Sequence, residues 1–139
     1  MEEKNNSYVQ LALDLHQVSR QISHYLEAIW VADGYKEIKM GHLQALLQLK
    51  RGNYTNNELA KFSDITKQSM SRIVKDLVEV GYIQFQDHPT DARAQSLSLS
   101  KKGWSFAHYL DTLSLRENID FEGLRLNLSR FKEDLEKAR

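Results

Sequence analysis

Thr55-Asn56-Asn57-Glu58-Leu59-Ala60-Lys61-Phe62-Ser63-Asp64-Ile65-Thr66-Lys67-Gln68-Ser69-Met70-Ser71-Arg72-Ile73-Val74-Lys75-Asp76-Leu77 spells two helices and the turn that joins them. Thr55 and Glu58 have the spacing of a capping box, in which the threonine hydroxyl accepts the Glu58 amide N–H and the carboxylate accepts the Thr55 N–H. A short helix through Phe62 is predicted from there. Ser63-Asp64-Ile65 breaks it, and Thr66 is a second capping residue. Met70, Ile73, Val74 and Leu77 then recur at helical steps, so one face of the second helix is apolar until Gly81 ends it.

On the upstream side, Leu43, Leu46 and Leu47 share a helical face that runs into Lys50, Arg51 and Gly52, residue types that favour a helix C-terminus. Downstream, Tyr82 to Phe85 and Gln95 to Leu99 alternate apolar with polar side chains, with Ile83 and Phe85 on one face and Leu97 and Leu99 on the facing strand. Asp87-His88-Pro89-Thr90-Asp91 between them is polar and holds the only proline, which predicts a hairpin with a protruding tip. Helix, tight turn, helix and hairpin is the order of a winged helix-turn-helix, whose second helix enters the DNA major groove.

Longer amphipathic segments flank this middle. Leu11, Leu15, Val18, Ile22, Leu26 and Ile29 form a stripe on a helix expected from about Tyr8 to Val31, stopped by Asp33 and Gly34. Phe106, Leu110 and Leu113 mark another helix, and Phe121, Leu124, Leu128, Phe131 and Leu135 a closing one. The stripes offer more apolar surface than the middle can cover, which favours pairing with a second copy of the chain. The expected fold is mainly α with a small β-hairpin. It is a single domain over 1–139, with a winged helix-turn-helix at 36–103 and N- and C-terminal dimerisation helices at 1–35 and 104–139.

With 41% hydrophobic residues the chain can build a core of its own, and without cysteine it has no disulfide, thiolate metal site or thiol switch. The polar start and the absence of a membrane-length apolar run make the cytoplasm the expected location. His16, His24, His42, His88 and His108 show neither H-x-x-x-H spacing nor a close carboxylate cluster, so no metal is expected. No phosphate loop, nucleophile motif or spaced acid–base pair is present, so neither cofactor nor enzymatic activity is expected.

The formal net charge is zero, yet residues 36–102 carry eleven basic side chains against seven acidic. Exposed charges separated by more than about 8 Å are largely screened from one another at physiological salt, so a local surplus counts for more than the total. Opposite the apolar face of the second helix stand Lys67, Gln68, Ser69, Ser71, Arg72 and Lys75. Arginine pairs bidentately with guanine and glutamine with adenine, while serine and lysine anchor phosphates. A polar outer face is ordinary for any surface helix. Agreement among the cap, the turn, Gly81 and the hairpin gives this one its meaning.

Asn57-Glu58-Leu59-Ala60, Ser69-Met70-Ser71-Arg72-Ile73-Val74 to Leu77, Gly81, and Asp91-Ala92-Arg93 to Leu97, Leu99, Ser100 and Gly103 resemble the MarR family over about Lys39 to Tyr109. The resemblance implies that Arg93 enters the minor groove and that Asp91 fixes the wing or pairs with a basic neighbour. An arginine at a hairpin tip also suits the narrow, negative minor groove on physical grounds. The resemblance further implies a dimeric, ligand-responsive repressor on double-stranded DNA at a pseudo-palindromic promoter site. It places an effector pocket for a small molecule near Tyr25, Trp30, Tyr35, His42, Trp104 and His108. The rival expectation is a winged-helix protein-interaction or architectural module that does not read sequence.

Overall fold

The computed structural model describes residues 3–87, 95–113 and 121–138. In chain order it contains α1 (Glu3–Ala32), a 3-10 turn (Met40–His42), α2 (Leu43–Arg51), β1 (Tyr54–Thr55), α3 (Asn56–Ser63) and α4 (Lys67–Glu79), then β2 (Ile83–Asp87), β3 (Gln95–Leu99), α5 (Lys101–Asp111) and α6 (Phe121–Ala138). This is the mainly helical, winged helix-turn-helix order expected from the sequence.

Local chemistry sets the helix ends. Three helices stop in the same way, with one residue in the left-handed region and an amide reaching back five residues to an otherwise unpaired carbonyl. Gly34 (φ 106°) stops α1, with Tyr35 N–H donating to Trp30 O at 2.9 Å. Gly81 (φ 85°) stops α4, with Tyr82 N–H donating to Leu77 O at 2.9 Å. Asp64 (φ 54°) does the same for α3, a stop that its residue type tolerates better than most. Gly52 behaves differently from the expectation: its φ of 172° is extended, and α2 ends by running straight into β1.

The sheet has three strands rather than the two of a simple hairpin. Tyr54 pairs with Leu97 and Thr55 with Ser96, so β3 lies between β1 and β2 in an antiparallel order β1-β3-β2. The central position alters the expected alternation. Ser96 and Ser98 are buried along with Leu97 and Leu99, while Phe85, expected inside with Ile83, lies in the middle of β2 and is 51% exposed. Residues 88–94, where the sequence predicts the hairpin tip, lie outside the described residues.

Phe106 of α5 is the hub of the core. Trp30, Tyr35 and Tyr82 meet its ring at T-shaped angles with centroids 6.0, 4.8 and 5.8 Å away, and Tyr109 stacks near it. Edge-to-face contacts of this kind add to the burial of the rings themselves. Trp30 is fully buried, and its indole N–H donates to Ile38 O at 2.8 Å, which ties the end of α1 to the connection that follows. Leu46, Leu49, Leu59, Met70, Leu77, Leu97 and Leu99 complete the cluster.

The outer parts of the terminal helices stand clear of that core. Tyr8, Leu11 and Val18 of α1 and Leu124, Leu128, Phe131 and Leu135 of α6 are exposed. Between the two helices lies a nearly apolar cavity of about 320 Å³, walled by Tyr8, Leu11, Ala12, Leu15, Phe131 and Leu135.

Close packing is tightest where β3 turns into α5. Ser100 caps α5 by accepting the Gly103 N–H at 3.1 Å, its own amide donates to Tyr82 O at 3.0 Å, and its hydroxyl donates to Gly81 O. A Cβ on Gly103 would come within 2.1 Å of Tyr82 O, a backbone atom that cannot swing aside. Gly103→Ala is therefore expected to destabilise the fold by roughly 1–3 kcal/mol, the range for overpacking. A urea melt that matched the unsubstituted chain would contradict this account of the corner.

Candidate nucleic-acid interface

The helix-turn-helix is built from the caps outward. Thr55 Oγ1 accepts the Glu58 N–H at 3.2 Å and Glu58 Oε1 accepts the Thr55 N–H at 2.9 Å, the reciprocal pair that the sequence predicts. Thr66 Oγ1 accepts the Ser69 N–H at 3.0 Å and its hydroxyl donates to Ser69 Oγ at 2.9 Å. Asn56 Nδ2 donates to Lys67 O at 3.4 Å, so the first residues of α3 and α4 are joined directly.

The inner face of α4 is closed. Met70, Val74 and Leu77 are buried and Ile73 is half-buried against the core, which leaves Lys67, Gln68, Ser69, Ser71, Arg72 and Lys75 exposed together on the outer face. Among the described residues Lys67, Arg72 and Lys75 form no ion pair, so their charge is not consumed within the fold. No acidic residue occupies the first turn of α4; its first residue is Lys67. Stability alone favours a carboxylate at the positive end of a helix by about 0.3–1 kcal/mol, so this end instead presents amide dipoles and a cation to any outside anion.

The far end of α4 is held just as firmly. Lys102 Nζ donates to Val80 O at 3.0 Å, lies 4.7 Å above the Tyr82 ring and stands 3.8 Å from Glu37 Oε1. Burial, assisted by the nearby Glu37 carboxylate, pushes the Tyr82 hydroxyl up to about 12, so it stays neutral across the physiological range.

Beside α4 lies a mostly apolar cleft of about 330 Å³, walled by Asn56, Ser71, Val74, Lys75, Val78, Glu79 and Phe85. Sequence reading did not find it, because it joins two helices to the exposed Phe85 of β2. The six residues expected around an effector are not brought together in this way. Trp30 is in the core. Tyr35 packs on Phe106 and Tyr109, with centroids 4.8 and 4.7 Å away. Tyr25 is half-buried on α1, while Trp104 and His108 form a ring pair on the exposed side of α5, 5.9 Å apart.

His42 is buried at the start of α2. Its Nδ1 accepts the Lys39 N–H at 2.9 Å, and its Nε2 is 3.8 Å from Asp76 Oδ2 on α4. Burial holds the imidazole below the ordinary histidine value, against the opposing pull of Asp76. The remaining predicted site residues, Asp91 and Arg93, fall outside the described residues. Neither the His42–Asp76 contact nor the Lys102 clamp was foreseen. Only the Lys39 N–H to His42 Nδ1 bond had a faint signal, since Lys39 and His42 share the spacing of the Thr55–Glu58 box.

Residues 37–94, which include both helices of the motif and the hairpin tip, match the family model for the MarR family. A curated relative, the HTH-type transcriptional repressor YetL of Bacillus subtilis (strain 168), is 28% identical over 95 residues. That alignment covers 68% of this chain, and the chain spans 57% of the relative's length. Two solved structures share the fold over nearly the whole chain. One is a MarR mutant from E. coli complexed with operator DNA, 17% identical with a TM-score of 0.76, covering 94% of this chain and 96% of that one. The other is reduced AbfR bound to DNA, 18% identical with a TM-score of 0.78, covering 99% of both chains. Over residues 37–94 the chain is thus similar to the MarR family, and it shares the fold of these two solved structures.

Proposed function

We propose that the chain is a cytoplasmic transcriptional regulator that binds double-stranded DNA as a homodimer and acts as a repressor, with no enzymatic activity. The carrying observation is the orientation of α4: burial of Met70, Val74 and Leu77 turns Lys67, Gln68, Ser69, Ser71, Arg72 and Lys75 outward as one uninterrupted surface. DNA in two similar structures and the repressor name of the YetL relative support the same conclusion.

The exposed stripes of α1 and α6 supply the dimer surface in this proposal, because an apolar patch shared by two helices is stabilised by a second copy. The dimer arms are 1–35 and 104–139 and the DNA-reading part is 36–103. Two copies related by a two-fold axis present their α4 helices to successive major grooves, about 34 Å apart, on a pseudo-palindromic site. Asp91 and Arg93 at the hairpin tip take the flanking minor groove. Among the described residues no helix is long and apolar enough to cross a membrane.

A small-molecule effector can regulate such a dimer by binding two of its geometries with different affinity. The six residues expected to hold it are divided between core and surface of the single chain. The cleft of about 330 Å³ beside α4 is a second candidate: it falls within the usual size range of small-ligand sites, and because Ser71 and Lys75 in its wall also belong to the proposed DNA surface, a molecule bound there would block DNA directly.

Selection of bound sequences from a random DNA pool tests the whole proposal, with a two-fold symmetric motif as the expected product. Affinity should fall with salt at a slope of about −0.9 per phosphate neutralised. A chain that stays monomeric and ignores DNA at low ionic strength would leave the protein-interaction alternative standing. Arg72→Ala should relax preference at particular base pairs by about 1–3 kcal/mol, whereas Lys75→Ala should weaken specific and random DNA alike. Equal losses on both DNAs for both variants would refute that division of labour. Arg93→Ala should lower affinity in proportion to the A·T content of the site flanks; an unchanged footprint would remove the hairpin tip from the complex.

A further inference from the structure

Between α1 and α4 the connection through Met40–His42 is held by three polar contacts. The Met40 N–H donates to Glu27 Oε2 of α1 at 3.3 Å, the Lys39 N–H donates to His42 Nδ1 at 2.9 Å, and His42 Nε2 faces Asp76 Oδ2 of α4 at 3.8 Å. His42 is thus the side chain through which the end of the dimer arm meets the DNA-reading helix. Resting on the DNA-binding function proposed above, we propose that His42 is a proton-sensitive positioning residue for α4, and that protonating its Nδ1 degrades sequence discrimination without abolishing DNA binding.

The chemistry follows from which nitrogen is engaged. Because Nδ1 accepts an amide hydrogen, the neutral ring carries its proton on Nε2, pointing toward Asp76. The 3.8 Å separation is too long for a good hydrogen bond in this state. Adding a proton to Nδ1 sets two donors against each other and breaks the Lys39 contact. The same proton makes the ring a cation, and a charge-assisted contact with a carboxylate closes to about 2.7–2.9 Å. Asp76 and the ring must then approach by roughly 1 Å, on a helix whose exposed neighbours include Arg72 and Lys75. The charged groups around the ring are Asp76 from α4, Lys39 from the connection and Glu27 from α1. Burial and Lys39 oppose protonation while Asp76 and Glu27 favour it, and the net effect of lowering keeps the ring neutral at pH 7.

Linkage has a definite sign here. The folded chain holds His42 below its unfolded value of 6.5, so this residue makes no demand on stability above that pH. As pH falls from 6.5 through the folded value, the unfolded chain takes up the proton first and stability is lost, levelling once the folded form is also charged.

The test compares the full-length chain with His42→Asn, which keeps an acceptor for the Lys39 N–H but cannot titrate, and with Asp76→Asn. Binding to a selected DNA site and to random DNA is measured from pH 7.5 to 5.5. Added positive charge strengthens both, so the readout is the ratio of the two affinities. That ratio is expected to fall by at least about fivefold in the unsubstituted chain, the lower end of ordinary site-to-site coupling, and to stay flat in His42→Asn. Asp76→Asn, having lost the attraction that favours the cation, should move the midpoint to lower pH. A ratio with the same pH profile in His42→Asn overturns the proposal. Amide hydrogen exchange and NMR titration of the DNA-free protein decide it independently, even if no DNA is bound. Protection of the Lys39 amide should be lost, and α4 amides around Asp76 should shift, with the His42 midpoint. His42 titrating while α4 stays still overturns the proposal, whereas failure to bind any DNA with that shift present counts only against the function it rests on.

Discussion

Burial of one face of α4 is the constraint on which the rest of the molecule depends. Met70, Val74 and Leu77 together remove several kcal/mol of apolar surface free energy from water, at about 1.5–3 kcal/mol for each fully buried side chain. No arrangement of the polar residues on the opposite face competes with that sum. The rotation of the helix about its axis is therefore set from inside, and the outward direction of Lys67, Arg72 and Lys75 is its consequence. The helix ends are fixed by other means: Thr66 caps the first turn, while Gly81, Ser100 and Lys102 take up the last carbonyls. The proposed match to a duplex depends on this fixed orientation, because a helix free to roll would scatter its donors over different bases.

Features determined by neighbours along the chain were legible in the sequence. The Thr55–Glu58 box, the Thr66 cap, the stop at Gly81 and the polar face of α4 depend on three- and four-residue spacings, and the structure has each of them. Features determined by distant pairing were not legible. β1 is two residues long and exists because Tyr54 and Thr55 meet Leu97 and Ser96, which no local pattern announces. Its presence makes β3 central, which buries Ser96 and Ser98 against the expected alternation. The burial of single rings was not legible either: helical spacing does not say that Trp30 is enclosed, with its indole N–H donating to Ile38 O.

The terminal helices pose the opposite balance. The C-terminal end of α1 is built into the core through Leu26 and Trp30, whereas its first half and the face of α6 remain apolar and exposed. In the proposed dimer the exposed surfaces would meet the partner, while the end of α1 is fixed to the core of its own chain.

The α1–α2 connection is tied to the end of α1 and to itself by hydrogen bonds. Trp30 grips Ile38, Glu27 grips the Met40 amide and His42 grips the Lys39 amide, so the backbone from Ile38 to His42 moves with the end of α1. Beyond it the apolar packing under α4 fixes the helix from inside. The His42–Asp76 contact differs in kind: it sets one ring nitrogen 3.8 Å from one carboxylate beside the exposed polar face of α4. A polar contact of this kind contributes little to stability while Asp76 is half exposed to water, and in the proposal above it closes only when the ring is protonated. The resting position of α4 is thus assigned to Met70, Val74 and Leu77, and its proposed proton-sensitive adjustment to His42 and Asp76.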